Sequence, residues 1–182
     1  AEDARNAHCI AIDATGVLVQ AKEKCRRGHF WVMIADRDHV LFRFTPRHVQ
    51  DGPKEFLRGY KGYVLADASN VYERLYQDED VTEVGCWAHC RRYFYDALSS
   101  DKERALAAIG FIGQIYEIDN DIKKKDLAPT ARTEERRKRA ERILEAFKIW
   151  LEVEHLTALP KSPIGKAIAY ALNHWVPLTR FL

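Results

Sequence analysis

The sequence predicts an α+β fold, layered as sheet and helix. Three observations point there. Strand-like apolar and aromatic runs fill the first half, amphipathic helical patterns fill the second, and two of the strand-like runs close on an aspartate. The 182 residues are 47% hydrophobic, enough for one domain with a real core and an attached helical part.

The first strand is His8-Cys9-Ile10-Ala11-Ile12-Asp13, followed by a turn at Thr15-Gly16 and by Val17-Leu18-Val19. His29 to Ile34 and Val40 to Phe44 are rich in aromatic and β-branched residues. The polar Asp36-Arg37-Asp38 joins them as a hairpin. Gln50 to Arg58 reads as a short helix. Gly62-Tyr63-Val64-Leu65-Ala66-Asp67 is again a strand closing on an acid. Asn70 caps a short helix through Tyr76, and Val81 to Val84 is the last strand.

Helical spacing takes over from Trp87 to Leu98. Ser100-Asp101-Lys102-Glu103 has the form of a capping box. It opens a helix with Leu106, Ile109, Ile112, Tyr116 and Ile122 on one side. The lysine run and Pro129 make 123–132 a loop. From Glu134 a long helix carries Ala140, Ile143, Leu144, Phe147, Trp150 and Leu151 as its stripe. Leu159-Pro160 breaks it. Ser162-Pro163 then supplies an N-cap and a first-turn proline to a helix that buries Ile164, Ile168, Ala171, Leu172 and Trp175.

Bulk charge does not identify a partner. Twenty-nine basic and 27 acidic residues leave a formal net charge of +2, so nucleic-acid contact requires a local patch. No apolar run reaches the roughly 20 residues of a membrane span, no secretory leader pattern opens the sequence, and four cysteines do not make a disulfide framework. These features predict a soluble protein of a reducing cytoplasm.

Asp13 and Asp67 are the first chemical candidates. Carboxylates at one edge of one sheet repel each other, and a hard divalent cation such as Mg²⁺ or Mn²⁺ removes the conflict. Two such ions about 4 Å apart would serve phosphodiester chemistry. Each aspartate equally suits an ordinary strand end. Cys86-x-x-His89, with Cys25-x-x-x-His29, has ligand types suited to zinc, but the pairs are far apart. Packing and hydrogen bonding without zinc is the expectation for Cys86 and His89. Arg91 and Arg92, followed by Tyr93-Phe94-Tyr95, combine phosphate-contact and base-stacking residue types, and on a helix they equally suit two core aromatics, Tyr93 and Phe94, beside solvated arginines. Arg136-Arg137-Lys138-Arg139 reads as a solvated helix face, with a DNA-facing patch as the alternative.

Taken together, Asp13-Ala14-Thr15-Gly16, Gly62 to Asp67, the string Cys86-Trp87-Ala88-His89-Cys90-Arg91-Arg92-Tyr93-Phe94 and the string from Leu159 to Asn173 resemble the insertion-sequence 66 family of transposases. Trp175 and Leu178 to Leu182 continue the likeness, which spans nearly the whole chain. The resemblance implies a ribonuclease-H-like mixed sheet with an all-helical insertion. The core would occupy 1–98, and the helices of 99–182 would lead toward a third-acid segment. It implies an Asp-Asp-Glu polynucleotidyl transferase with Asp13 as first acid and Asp67 as second. The reaction that the resemblance implies is attack of metal-bound water on a phosphodiester at the element's end, followed by attack of the freed 3′-hydroxyl on target DNA.

The third acid of the family lies in an Asn-Asn-x-x-Glu-Arg segment, expected here beyond Leu182, so the sequence reads as a fragment, inactive alone. Two departures alter the surroundings of the acids: Ala14 stands where the family has Glu, and Ala68-Ser69 where it has Gly-Tyr. Arg91, Arg92, Lys161 and Lys166 are the candidates for DNA phosphate contact. The resemblance also implies homo-oligomers and nucleoid association in a bacterial cytoplasm. The rival function is a non-catalytic DNA-binding or assembly module descended from a transposase.

Overall fold

The computed structural model describes residues 3–22, 24–36, 39–77 and 80–182. The fold is α+β with a five-stranded mixed sheet, compatible with a ribonuclease-H-like arrangement. The chain divides into two compact units, Ala1–Cys86 and Trp87–Leu182.

The first unit holds β1 (Cys9–Val19), β2 (Arg26–Ala35), β3 (His39–Thr45), α1 (Asp51–Phe56), β4 (Gly62–Ala66), α2 (Glu73–Tyr76) and β5 (Val81–Gly85). The strand order is β3-β2-β1-β4-β5. The β1–β2 and β2–β3 pairs are antiparallel, while β4 runs parallel to β1 and to β5. Period-two alternation sends Ile10, Ile12, Trp31, Met33, Ala35, Val64 and Ala66 to one face, where they are buried with Leu57, Tyr60, Val71, Tyr72 and Leu75. Trp31 is the centre of that core, edge-on to Phe56 and Tyr72, with its indole N–H donating to Thr45 Oγ1 at 2.7 Å.

The opposite face is open. Phe30, Ile34, Val40, Phe42 and Phe44 are 41–64% exposed there. Cross-strand partners point to the same side of a sheet. Asp13 pairs with Val32, and Val32 with Phe42, so Asp13 shares this apolar face.

Several sequence expectations shift in the first unit. Thr15-Gly16 is no turn: β1 runs unbroken to Val19 because β2 pairs with it along its whole length. Asp13 therefore lies inside a strand and does not end one. Ser69, rather than Asn70, caps the turn before α2, its side chain accepting from Val71 N. Asp36 enters the β2–β3 turn with φ of 47° and accepts from His8 N and Cys9 N. Its partners in the expected turn, Arg37 and Asp38, lie outside the described residues.

The second unit is helical: α3 (Trp87–Asp96), α4 (Lys102–Lys124), α5 (Pro129–His155), α6 (Pro163–Asn173) and α7 (Trp175–Thr179). Asp101, not Ser100, caps α4, accepting from Arg104 N, while the Ser100 hydroxyl donates to Ala97 O. The loop expected over 123–132 shrinks, because α4 continues to Lys124 and Pro129 occupies the first turn of α5. The buried stripe of α4 is Ala105, Ala108, Ile112, Ile115, Ile118 and Ile122. Leu106 and Tyr116 face outward instead. Reading by side-chain size missed the two alanines, which are fully buried. Ile112, Phe147, Ile164, Ile168 and Ala171 are buried as expected, whereas Ile109, Ile143, Trp150, Leu172 and Trp175 are half-buried against the same core.

Ser162 caps α6 as the sequence indicates, its Oγ accepting from Gly165 N at 3.1 Å. Gly165 itself lies against the Leu159 carbonyl, where any β-carbon would overlap that oxygen. Gly165→Ala is expected to destabilise the chain by about 1–3 kcal/mol, the usual range for forced overpacking. Chemical denaturation followed by circular dichroism measures it. An unchanged midpoint would mean that the Leu159–Pro160 segment moves aside freely.

Candidate metal centre

The register of two parallel strands brings the acids together. Cys9, Ile10 and Ala11 of β1 pair with Tyr63, Val64 and Leu65 of β4. Carried two residues further, the same register sets Asp13 level with Asp67, which directly follows β4. A carboxylate oxygen of each lies within 4.8 Å of the other. Asp13 is exposed and Asp67 half-buried.

Each carboxylate is held from behind by backbone. Asp13 Oδ1 accepts from Ala14 N at 2.8 Å, and Asp67 Oδ1 accepts from Ser69 N at 3.3 Å. Among the described residues, neither acid has an ion-pair partner. Buried Tyr72 lies near both: burial first, then Asp67 and Asp13, push its hydroxyl pKa up, so the group stays protonated and neutral. Tyr72 was not singled out from sequence, where it is one aromatic among many.

The donor set fits a hard divalent cation. Two carboxylates of like charge lie close together with no ion-pair partner among the described residues, and oxygen ligands of this kind suit Mg²⁺ or Mn²⁺. Two acids alone leave most positions around such an ion to water or to further ligands.

The other candidates fall as follows. Cys86 follows β5 and His89 lies in the first turn of α3, so the pair spans a strand-to-helix junction. Cys86 is half-buried, and His89 Nδ1 is buried with no hydrogen-bond partner among the described residues. Cys25 is exposed just before β2. His29 stacks on His48 at 4.8 Å between ring centroids, and burial, with His48 and Arg27 nearby, lowers its pKa.

Arg91 and Arg92 are exposed on α3, and Lys161 and Lys166 are exposed just before and on α6. The basic run of α5 is largely engaged: Arg136 pairs with Asp119 at 2.8 Å, Arg139 with Asp121 at 3.0 Å, and Arg137 donates to Leu182 O. That run ties α5 to α4, which its solvated-face reading did not anticipate. Among the described residues, no helix is long and apolar enough to cross a membrane.

Comparison with known proteins gives one family model, described as "Transposase IS66 family", that matches residues 1–182. Three Sinorhizobium fredii proteins are similar. The uncharacterized protein y4qI is 30% identical over 152 residues, covering 79% of this chain and 28% of its own length. The uncharacterized protein y4hP is 23% identical over 195 residues, covering 93% of this chain and 35% of its own. The uncharacterized protein y4jD is 25% identical over 133 residues, covering 69% of this chain and 26% of its own. The chain thus spans about a quarter to a third of the length of these relatives. No solved structure matches significantly.

Proposed function

The chain belongs to the Transposase IS66 family, and from that premise we propose that it is part of the catalytic core of a DNA transposase that cleaves phosphodiesters at element ends and transfers the freed strand to target DNA. The observation that carries this reading is the level pairing of Asp13 and Asp67 across β1 and β4, with their carboxylate oxygens within 4.8 Å.

Asp13 and Asp67 would hold Mg²⁺ or Mn²⁺ in this reading. When bound, the metal neutralises charge on the phosphodiester and acts as a Lewis acid. The chain's own residues arrange this. Ala14 N and Ser69 N each hold one carboxylate oxygen, which leaves the second oxygen of each acid to a metal. The neutral Tyr72 adds no competing charge in the neighbourhood of the two acids. An acid from outside these residues completes the set in the whole protein. The helices of 99–182 are the insertion between second and third acids in this reading. Arg91, Arg92, Lys161 and Lys166 contact DNA phosphates, and the whole protein works as a homo-oligomer on nucleoid DNA. Cys86 and His89 serve packing at their junction, with no zinc; the hydrogen bonding expected of His89 has no counterpart at its buried Nδ1 among the described residues.

Metal binding by the 182-residue chain tests the reading directly. Mn²⁺ should bind weakly, with water-proton relaxation enhancement reporting it, and Asp67→Asn should remove most of the enhancement. Equal binding by the unchanged chain and the Asp67→Asn chain would detach the acids from the metal.

A further inference from the structure

We propose that the surface shared by α3 and α6 is a stacking platform for unpaired nucleotides of DNA, an inference that rests on the transposase reading. Tyr93 of α3 stacks on Tyr170 of α6 with ring centroids 4.5 Å apart and planes 29° from parallel. His174 continues the series, its ring 4.7 Å from Tyr170 and its Nδ1 2.8 Å from the Tyr170 carbonyl oxygen. The series therefore runs across two helices packed side by side within one unit, and its outer member, Tyr93, is 44% exposed.

A tyrosine needed only for packing would be covered. Phe94, its neighbour in sequence, is fully buried and does that work for α3. Tyr93 instead presents an aromatic ring to solvent, backed by a second ring that holds it in place. An aromatic face of this kind is matched by the face of a base, and only an unpaired base offers one.

The charged side chains of α3 and α6 are predominantly basic. The chain has no Asp or Glu after Glu154, so α6 and the segments beside it carry Lys161 and Lys166 without an acid. α3 contributes Arg91 and Arg92 against the single acid Asp96. None of these four cations has an ion-pair partner among the described residues, whereas Arg104, Arg136 and Arg139 are each neutralised by an acid on the helices. Available cations beside exposed, stacked rings are the combination that follows a single-stranded backbone while receiving its bases. A duplex can use the cations but not the rings, because its bases are stacked on one another.

The test is fluorescence anisotropy of labelled oligothymidylate and of a labelled duplex with the full 182-residue chain, at one fixed salt concentration. EDTA is present throughout, so that the result is independent of the metal centre. Tyr93→Leu should weaken single-strand binding about ten-fold, in line with the loss of one stacked base. It should change duplex binding less than about two-fold, and Tyr93→Phe should retain binding to both. Replacing Arg92 and Lys166 together by glutamine should weaken binding of both oligonucleotides at that salt concentration, and a separate salt titration should show a shallower slope than the unaltered chain gives.

Because Tyr93→Leu also removes a packing contact, ultraviolet cross-linking of the unaltered chain to oligonucleotide carrying 5-iodouracil gives an independent readout. The label should map to the peptides containing Tyr93 or Tyr170. Undiminished single-strand binding by Tyr93→Leu, equal losses for both DNAs, cross-links confined to other peptides, or no binding of either DNA would each overturn the platform. The metal reading stands or falls separately, on Mn²⁺ binding and on cleavage by the complete protein.

Discussion

Asp13→Asn or Asp67→Asn in the complete protein should lower cleavage of element-end DNA by at least about a thousand-fold with Mg²⁺, at the upper end of what one lost electrostatic contact costs in catalysis. Asparagine is nearly isosteric with aspartate, so the backbone N–H groups of Ala14 and Ser69 keep an oxygen to bond. What disappears is negative charge from a pair of groups whose oxygens lie within 4.8 Å of each other. The 182-residue chain alone should bind the metal but not cleave, because two carboxylates define too few of the positions around a hard ion. The assay compares the chain, the complete protein and the two variants on the same end-containing DNA. Full activity in either variant would remove that residue from the mechanism. Specific cleavage by the chain alone would require an acid within it, with Glu141 and Glu145 the first to replace.

Phe147→Ala should produce the largest loss of stability, about 3–5 kcal/mol, the range for emptying a buried phenylalanine site. Phe147 is fully buried, and five aromatic rings surround it: Phe111 at 4.9 Å, Trp175 at 6.0 Å, Trp150 at 6.1 Å, Trp87 at 6.2 Å and Phe94 at 6.3 Å. The ring is therefore the common partner of α3, α4, α5 and α7 in the second unit. A domain's net stability is typically about 5–15 kcal/mol, so this one truncation would remove a large share of it. Urea unfolding followed by tryptophan fluorescence reads the change, since three of the neighbours are tryptophans. Phe147→Leu, which keeps most of the volume, should cost much less. A shift below about 1 kcal/mol for Phe147→Ala would mean that the helices close over the gap and do not depend on the ring.

Much of this architecture was legible from residue order. Runs of apolar, aromatic and β-branched residues marked the strands, though β1 was read as two pieces, and Ser162-Pro163 marked the start of α6 to the residue. What misled was local chemistry judged without its neighbours. Thr15-Gly16 has turn composition, yet pairing along β2 holds it extended. Ala105 and Ala108 are too small to stand out in a hydrophobic stripe, but both are fully buried in the helical core. Asp13 and Asp67 could be named from sequence, while their closeness depends on the β1–β4 register, which no spacing along the chain encodes. Tyr72 and the Tyr93–Tyr170 stack were hidden for the same reason, since each depends on a partner remote in sequence.

The open sheet face bears on how the asparagine variants must be handled. Phe30, Ile34, Val40, Phe42 and Phe44 lie exposed on a surface that reaches the edge strand β3, an arrangement that favours sheet-to-sheet association between molecules. Asp13 lies among them, level with Val32 and Phe42, and its charge opposes the approach of a second copy. The residue that would hold a metal is thus also a solubilising charge on an adhesive surface. Asp13→Asn removes both at once, so inactivity caused by clustering would imitate inactivity caused by lost chemistry. Light scattering at the assay concentration separates the two, and only the monodisperse fraction of that variant speaks to catalysis.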